Sequence, residues 1–186
     1  MAYTKQDIIS LASIYGSKGP VTSTINQGNY VSTLNDLYDV VYGEIIANDD
    51  FRFATKLLAA NKVSGETSVL SEWTILYAFP ADALVLTTIY PAGSDYEIYG
   101  NRIYSNTDNL IIEYRYKPSE SLITDSFAAY FASKLAFDAL TALAVSPSQI
   151  KFVESILSMK KAVAISVDNR NAPVRNIQSN PFIEFR

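Results

Sequence analysis

Trp73-Thr74-Ile75-Leu76-Tyr77-Ala78-Phe79-Pro80-Ala81-Asp82 is where the hydrophobic period of this chain becomes plainest. Trp73, Ile75, Tyr77 and Phe79 alternate with Glu72, Thr74, Leu76 and Ala78. That period of two belongs to a strand with one buried face. Pro80-Ala81-Asp82 breaks the strand, with Asp82 read as turn chemistry, and Leu84 to Tyr90 begins the next. Pro91-Ala92-Gly93 closes that one. Gly100-Asn101 then separates Tyr96-Glu97-Ile98-Tyr99 from Arg102-Ile103-Tyr104, a two-residue hairpin signal. After the turn Asn106-Thr107-Asp108-Asn109, Leu110, Ile112, Tyr114 and Tyr116 alternate with Ile111, Glu113, Arg115 and Lys117. Short strands joined by tight turns predict an antiparallel β subdomain over 55–117, a small sandwich or barrel.

On either side the period is helical. Thr4 with Asp7 three residues on forms an acidic variant of the capping box for a helix from Lys5 to Tyr15, stopped at Gly16. Tyr30, Leu34, Leu37, Val41 and Ile45 mark one face of a second helix, from Tyr30 to Ala47, with Tyr38 and Tyr42 widening it. Phe51-Arg52-Phe53-Ala54 follows as an aromatic plug for the core. After Pro118, Thr124 caps a helix that runs to Ala144. Between Phe127 and Val145 its only charges are Lys134 and Asp138, spaced to pair. A helix this apolar all round must be covered on several sides. Ser146-Pro147-Ser148-Gln149 predicts the start of a last helix, to Asp168, with a capping box and Pro in its first turn. Ile150, Val153, Leu157 and Ala164 form one stripe of it, and Phe152, Ile156, Met159 and Val163 a neighbouring one.

The expected fold is therefore α+β. Helices of 1–54 and 118–170 make a four-helix bundle, the β subdomain 55–117 projects from it, and 171–186 is an extended arm. The arm carries Pro173 and Pro181 and is polar until Phe182-Ile183-Glu184-Phe185. Those two phenylalanines read either as a frayed end or as anchors on a neighbouring chain.

Composition narrows the chemistry. The 186 residues include no Cys and no His. That removes thiolate nucleophiles, sulfur-ligated metals, imidazole bases and Ser-His-Asp triads. No Gly-rich phosphate loop is present, and no cofactor or metal is expected. Asp36, Asp39, Glu44, Asp49 and Asp50 make the densest acidic stretch, read as a solvated helix face and end, with a divalent cation as the alternative. Glu97, Glu113 and Arg115 read as outward-facing strand residues. Nothing in the spacing selects a pair of carboxylates for glycoside hydrolysis. Tyr77, Tyr90, Tyr96, Tyr99, Tyr104, Tyr114 and Tyr116 suit strand packing and subunit interfaces, or stacking on sugars or bases. The net charge of −4 argues against coating DNA, because counterion release needs clustered Lys and Arg. No apolar run reaches the length of a bilayer span, and the start reads as a soluble chain entering a helix.

The order of segments resembles the tail tubular protein A family, the tail adaptors or gatekeepers of podophages, over roughly Thr4 to Pro173. Thr4-Lys5-Gln6-Asp7-Ile8-Ile9-Ser10-Leu11-Ala12 looks like that family's first helix. Phe51-Arg52-Phe53-Ala54 resembles its aromatic-Ala segment, although Trp is missing. Trp73 to Leu84 resembles its Tyr-Ala-Leu-Pro-Ala-Asp-Cys-Leu stretch, with Ala83 where Cys is common. The Arg-rich character that follows in the family is absent at Val85-Leu86-Thr87-Thr88. Tyr96 to Asn106 looks like its hairpin, and Phe127 to Leu143 like its Ala-rich helix.

The resemblance implies a structural virion protein without catalytic activity. It would form a ring, commonly of twelve copies, between the portal protein and the tail nozzle, and phage DNA would pass through the lumen. It implies assembly in the host cytoplasm and residence at the virion's head–tail junction, with no membrane partner. The apolar helix and the arm point to Phe127, Phe131, Leu135, Phe182 and Phe185 as subunit or partner contacts. Two alternatives remain open on the residues: a carbohydrate-binding β-sheet module on a helical stalk, and a hydrolase working with carboxylates alone.

Overall fold

The computed structural model describes residues 3–16, 28–66, 68 and 70–170. Among them the chain is mixed α+β, with four α-helices and two small antiparallel sheets. The helices are α1 (Lys5–Tyr15), α2 (Asn29–Asn48), α3 (Asp125–Ala142) and α4 (Pro147–Arg170). The strands are β1 (Thr55–Ala59), β2 (Ile75–Ala78), β3 (Ala83–Tyr90), β4 (Tyr96–Tyr99), β5 (Arg102–Ser105) and β6 (Ile111–Tyr116). No helix among the described residues is long and apolar enough to cross a membrane.

The caps read from the sequence form at α1 and α3. Thr4 and Asp7 close a complete capping box, the Thr4 backbone N–H donating to the Asp7 carboxylate at 2.9 Å. Thr124 accepts from the Phe127 N–H at the start of α3. At α4 the expected box takes a different form. The Gln149 side-chain amide donates to the Gly16 carbonyl at 3.0 Å, so it ties the start of α4 to the end of α1. That carbonyl is one of the C-terminal groups a helix cannot satisfy itself.

Helix α3 is the centre of the helical part and packs against α1, α2 and α4. Ten of its residues are buried, Phe127, Phe131 and Leu135 among them. Its charged pair forms, Lys134 to Asp138 at 2.8 Å. Phe51 and Ala54, around a short 3-10 turn at Arg52–Ala54, plug the same core.

The strands make two three-stranded sheets, ordered β1-β6-β3 and β2-β5-β4. One buried cluster, Tyr77, Ile89, Ile103, Leu110, Ile112 and Tyr114, is drawn from both sheets. The hairpin pairs Tyr99 with Arg102 around Gly100, whose φ of 59° suits Gly at the first turn position. The strand expected over 73–79 is shorter, only Ile75–Ala78, and its alternation fails at Leu76, which is buried beside Tyr77. The backbone at Asn61 and Val63 hydrogen-bonds along this edge of β2, which is therefore not a solvated rim. Strand β1, which the sequence did not single out, forms because β6 offers it a ladder from Thr55↔Arg115 to Ala59↔Ile111.

Candidate functional site

Three of the contact residues expected from the sequence, Phe127, Phe131 and Leu135, lie inside this chain's own core, at most 1% exposed. They offer no surface to a second chain in this structure. Phe131 stacks on Tyr42 at 4.9 Å between ring centres and lies 5.0 Å from Tyr38. Phe127 meets Phe51 edge-on, also at 4.9 Å. The all-round apolar character of α3 is thus used up by intramolecular packing against three helices and the aromatic plug. Phe182 and Phe185 lie outside the described residues.

The tyrosines of this core keep their hydroxyls bonded, as burial demands. Tyr42 donates to the Pro118 carbonyl at 2.8 Å, Tyr130 to Asp49 at 2.6 Å and Tyr38 to Glu120 at 3.3 Å. Burial pushes all three phenols well above the ordinary tyrosine range, and pushes Tyr30 up to about 12.

Apolar surface remains elsewhere. On α4, Phe152 is 55% exposed, Met159 61% and Val163 49%, with Ile156 half-buried between them. This is the second stripe read from the sequence, while the first stripe faces the core through Val153 and Ala164. On the sheets, Leu57 in β1 and Ile98 and Tyr99 in β4 are exposed, and both strands are sheet edges. Sequence reasoning found the α4 stripe but not its exposure. Which of two adjacent apolar stripes meets the core depends on where α3 sits.

Two depressions carry polar groups. A cleft of about 430 Å³ is lined by Asp50, Arg52, Thr55, Leu57, Thr87, Thr88 and Glu113. Its carboxylates are engaged, Asp50 by Arg115 at 3.2 Å and Glu113 by the Tyr90 hydroxyl at 3.1 Å. A smaller one of about 100 Å³ holds Glu44, Asp49, Lys134 and Lys161 beside Tyr130. Lys161 pairs with Asp49 at 2.6 Å and Lys134 with Glu44 at 3.7 Å. Apart from Asp36, the acids of the α2 stretch are thus spread over separate ion pairs, since Asp39 faces Lys5 and Lys117. Among the described residues, no group of three or more potential metal ligands converges.

No family model matches this chain, and no curated protein matches it in sequence.

The strand residues divide by face. Tyr77 and Tyr114 are buried and bonded, to the Thr107 carbonyl at 2.8 Å and to Asp82 at 3.0 Å. Asp82 also pairs with Lys56 at 2.7 Å, so this turn residue clamps β1 and β6 together. Those bonds hold its carboxyl below the usual range, Lys56 contributing most. Arg115, expected to face outward, is only 14% exposed. Its guanidinium donates to the Ala47 carbonyl at 2.8 Å and to Asp50, because the outer face of its sheet abuts the end of α2. Tyr99 and Tyr104 remain accessible on the other sheet, edge to face at 5.6 Å, near Glu97 and Trp73.

Proposed function

We propose that this chain is a structural virion protein, a tail adaptor that assembles as a ring between portal and tail nozzle and lines the DNA channel. In this reading the four helices act as one bundle, and the two sheets as a small sandwich projecting from it. The supporting observation is the exposed stripe Phe152, Met159 and Val163, left over after both cores are filled. Contiguous exposed apolar surface marks association. The order of segments that resembles the podophage adaptors supplies the place of that association. An acidic chain with few clustered cations suits a lumen past which DNA slides. Such a protein works by binding and needs no catalytic group, metal or cofactor. It would be made in the host cytoplasm and end at the head–tail junction.

The test is the mass of the purified protein by light scattering, alone and mixed with a portal ring. A discrete multi-copy species in either sample supports the reading. A chain that stays monomeric and leaves the portal's mass unchanged refutes it.

A second reading has an observation of its own. The accessible Tyr99–Tyr104 pair beside Glu97 and Trp73 has the aromatic-plus-carboxylate make-up of a sugar-binding face. Glycan-array binding that disappears in Tyr99→Ala would favour a carbohydrate module, and a blank array would remove it.

A further inference from the structure

We infer that the exposed stripe of α4 in one copy seats on the outer face of α2 in the next copy; this rests on the ring reading above. The stripe consists of Phe152, Ile156, Met159 and Val163, successive positions four, three and four residues apart. On the outer face of α2, Asp36, Val40, Gly43 and Ala47 follow the same spacing. Val40 is 65% exposed, and a Cβ built on Gly43 would meet nothing within 4 Å, so the surface there is open. One helix therefore presents a row of large apolar side chains, and the other an open face on which Gly43 and Ala47 leave room beside Val40. Positions repeating at four, three and four residues form a seam along one helix face, the pattern by which two helices bury one face on each other.

Charge matches as well. Lys160, four positions from Ile156 and three from Val163, borders the α4 stripe. The acids of α4 lie off it: Glu154 sits two positions from both Phe152 and Ile156, and Asp168 turns inward to accept from the Arg52 N–H at 2.9 Å. Helix α2 has three acids, Asp36, Asp39 and Glu44, and no Lys or Arg. Asp36 forms no ion pair among the described residues. Two α4 stripes would bring like charges together, whereas α4 on α2 brings opposite ones. A contact between two different faces of one chain is head-to-tail, the kind that closes into rings.

The absence of cysteine makes the contact testable by disulfide trapping. Gly43→Cys and Ser155→Cys place one thiol on each face, and Ala81→Cys in the β2–β3 turn serves as control. Oxidation of the mixed single variants, with and without portal, should join Gly43→Cys to Ser155→Cys about tenfold faster than Gly43→Cys to Ala81→Cys. Adding Lys160→Glu to the Ser155→Cys chain should slow the reaction about tenfold, and Asp36→Lys in the Gly43→Cys chain should restore it. The double variant Gly43→Cys/Ser155→Cys should give a ladder of multimers. Trapping no faster than the control overturns the inference, as does preferential pairing of Ser155→Cys with itself. Light scattering on the same samples separates the two ideas. Oligomers without the trapped pair leave the ring and remove this contact; monomers under every condition remove both.

Discussion

At the scale of single residues, the aromatic core of α2 and α3 carries the heaviest consequences. Phe131 is fully buried and touches two tyrosine rings, so Phe131→Ala leaves a cavity that those neighbours cannot fill. The expected cost is about 3–5 kcal/mol, read as a fall in the denaturant midpoint. The buried phenols set a limit at high pH. Tyr30 has a folded pKa of about 12, and Tyr38, Tyr42 and Tyr130 are also raised by burial. A raised phenol pKa means the unfolded chain ionises first. The stability these groups contribute is whole below about pH 10 and is lost as pH rises from there towards 12. Accessible tyrosines can add phenolate absorbance on their own, but the final increment, from these four buried phenols, should rise together with the loss of helical circular dichroism. Complete phenolate formation while the helices stay intact would contradict this assignment.

At the scale of elements, two local devices hold pieces that propensity alone would leave marginal. Gly100 turns the β4–β5 hairpin with a positive φ that a Cβ makes costly. Gly100→Val should lower stability by about 1–2 kcal/mol, and the loss should appear first as faster amide exchange in β4 and β5. Gln149 ties α4 to α1 through the Gly16 carbonyl. Gln149→Ala should cost about 1 kcal/mol, measured by urea unfolding, and should leave the hairpin's exchange unchanged.

For the whole molecule, the question is how the helical core and the sheet core communicate. Arg115 on β6 reaches the Ala47 carbonyl and Asp50 at the end of α2, and its partly buried guanidinium is the clearest polar tie between them. Its Nε is buried without a hydrogen-bond partner, so the tie holds at some cost in desolvation. Arg115→Met removes the tie while keeping apolar bulk. Trp73, the only tryptophan, reports on the sheets, and dichroism at 222 nm reports on the helices. The two melting curves should coincide in the parent chain and separate in Arg115→Met. Coincident curves in the variant would show that apolar contacts alone couple the two cores.

Read from the chain itself, the α+β class, the four helices and nearly all strand positions were determined by local rules. Capping boxes, a change of period from 3.6 to two, and Gly or Pro at breaks act within a few residues of their position. Thr4, Thr124 and Gly100 each do what their neighbours in sequence require. What only the tertiary structure decided is which surfaces are spent inside the chain. Phe127, Phe131 and Leu135 looked free for a partner because a sequence shows how apolar a helix is, not how many helices surround it. Strand β1 exists because β6 lies beside it, and Arg115 turned inward because α2 ends there. The candidate contact surface moved from α3 to the second stripe of α4 for the same reason. Burial is a property of neighbours brought from far along the chain, and no local pattern carries it.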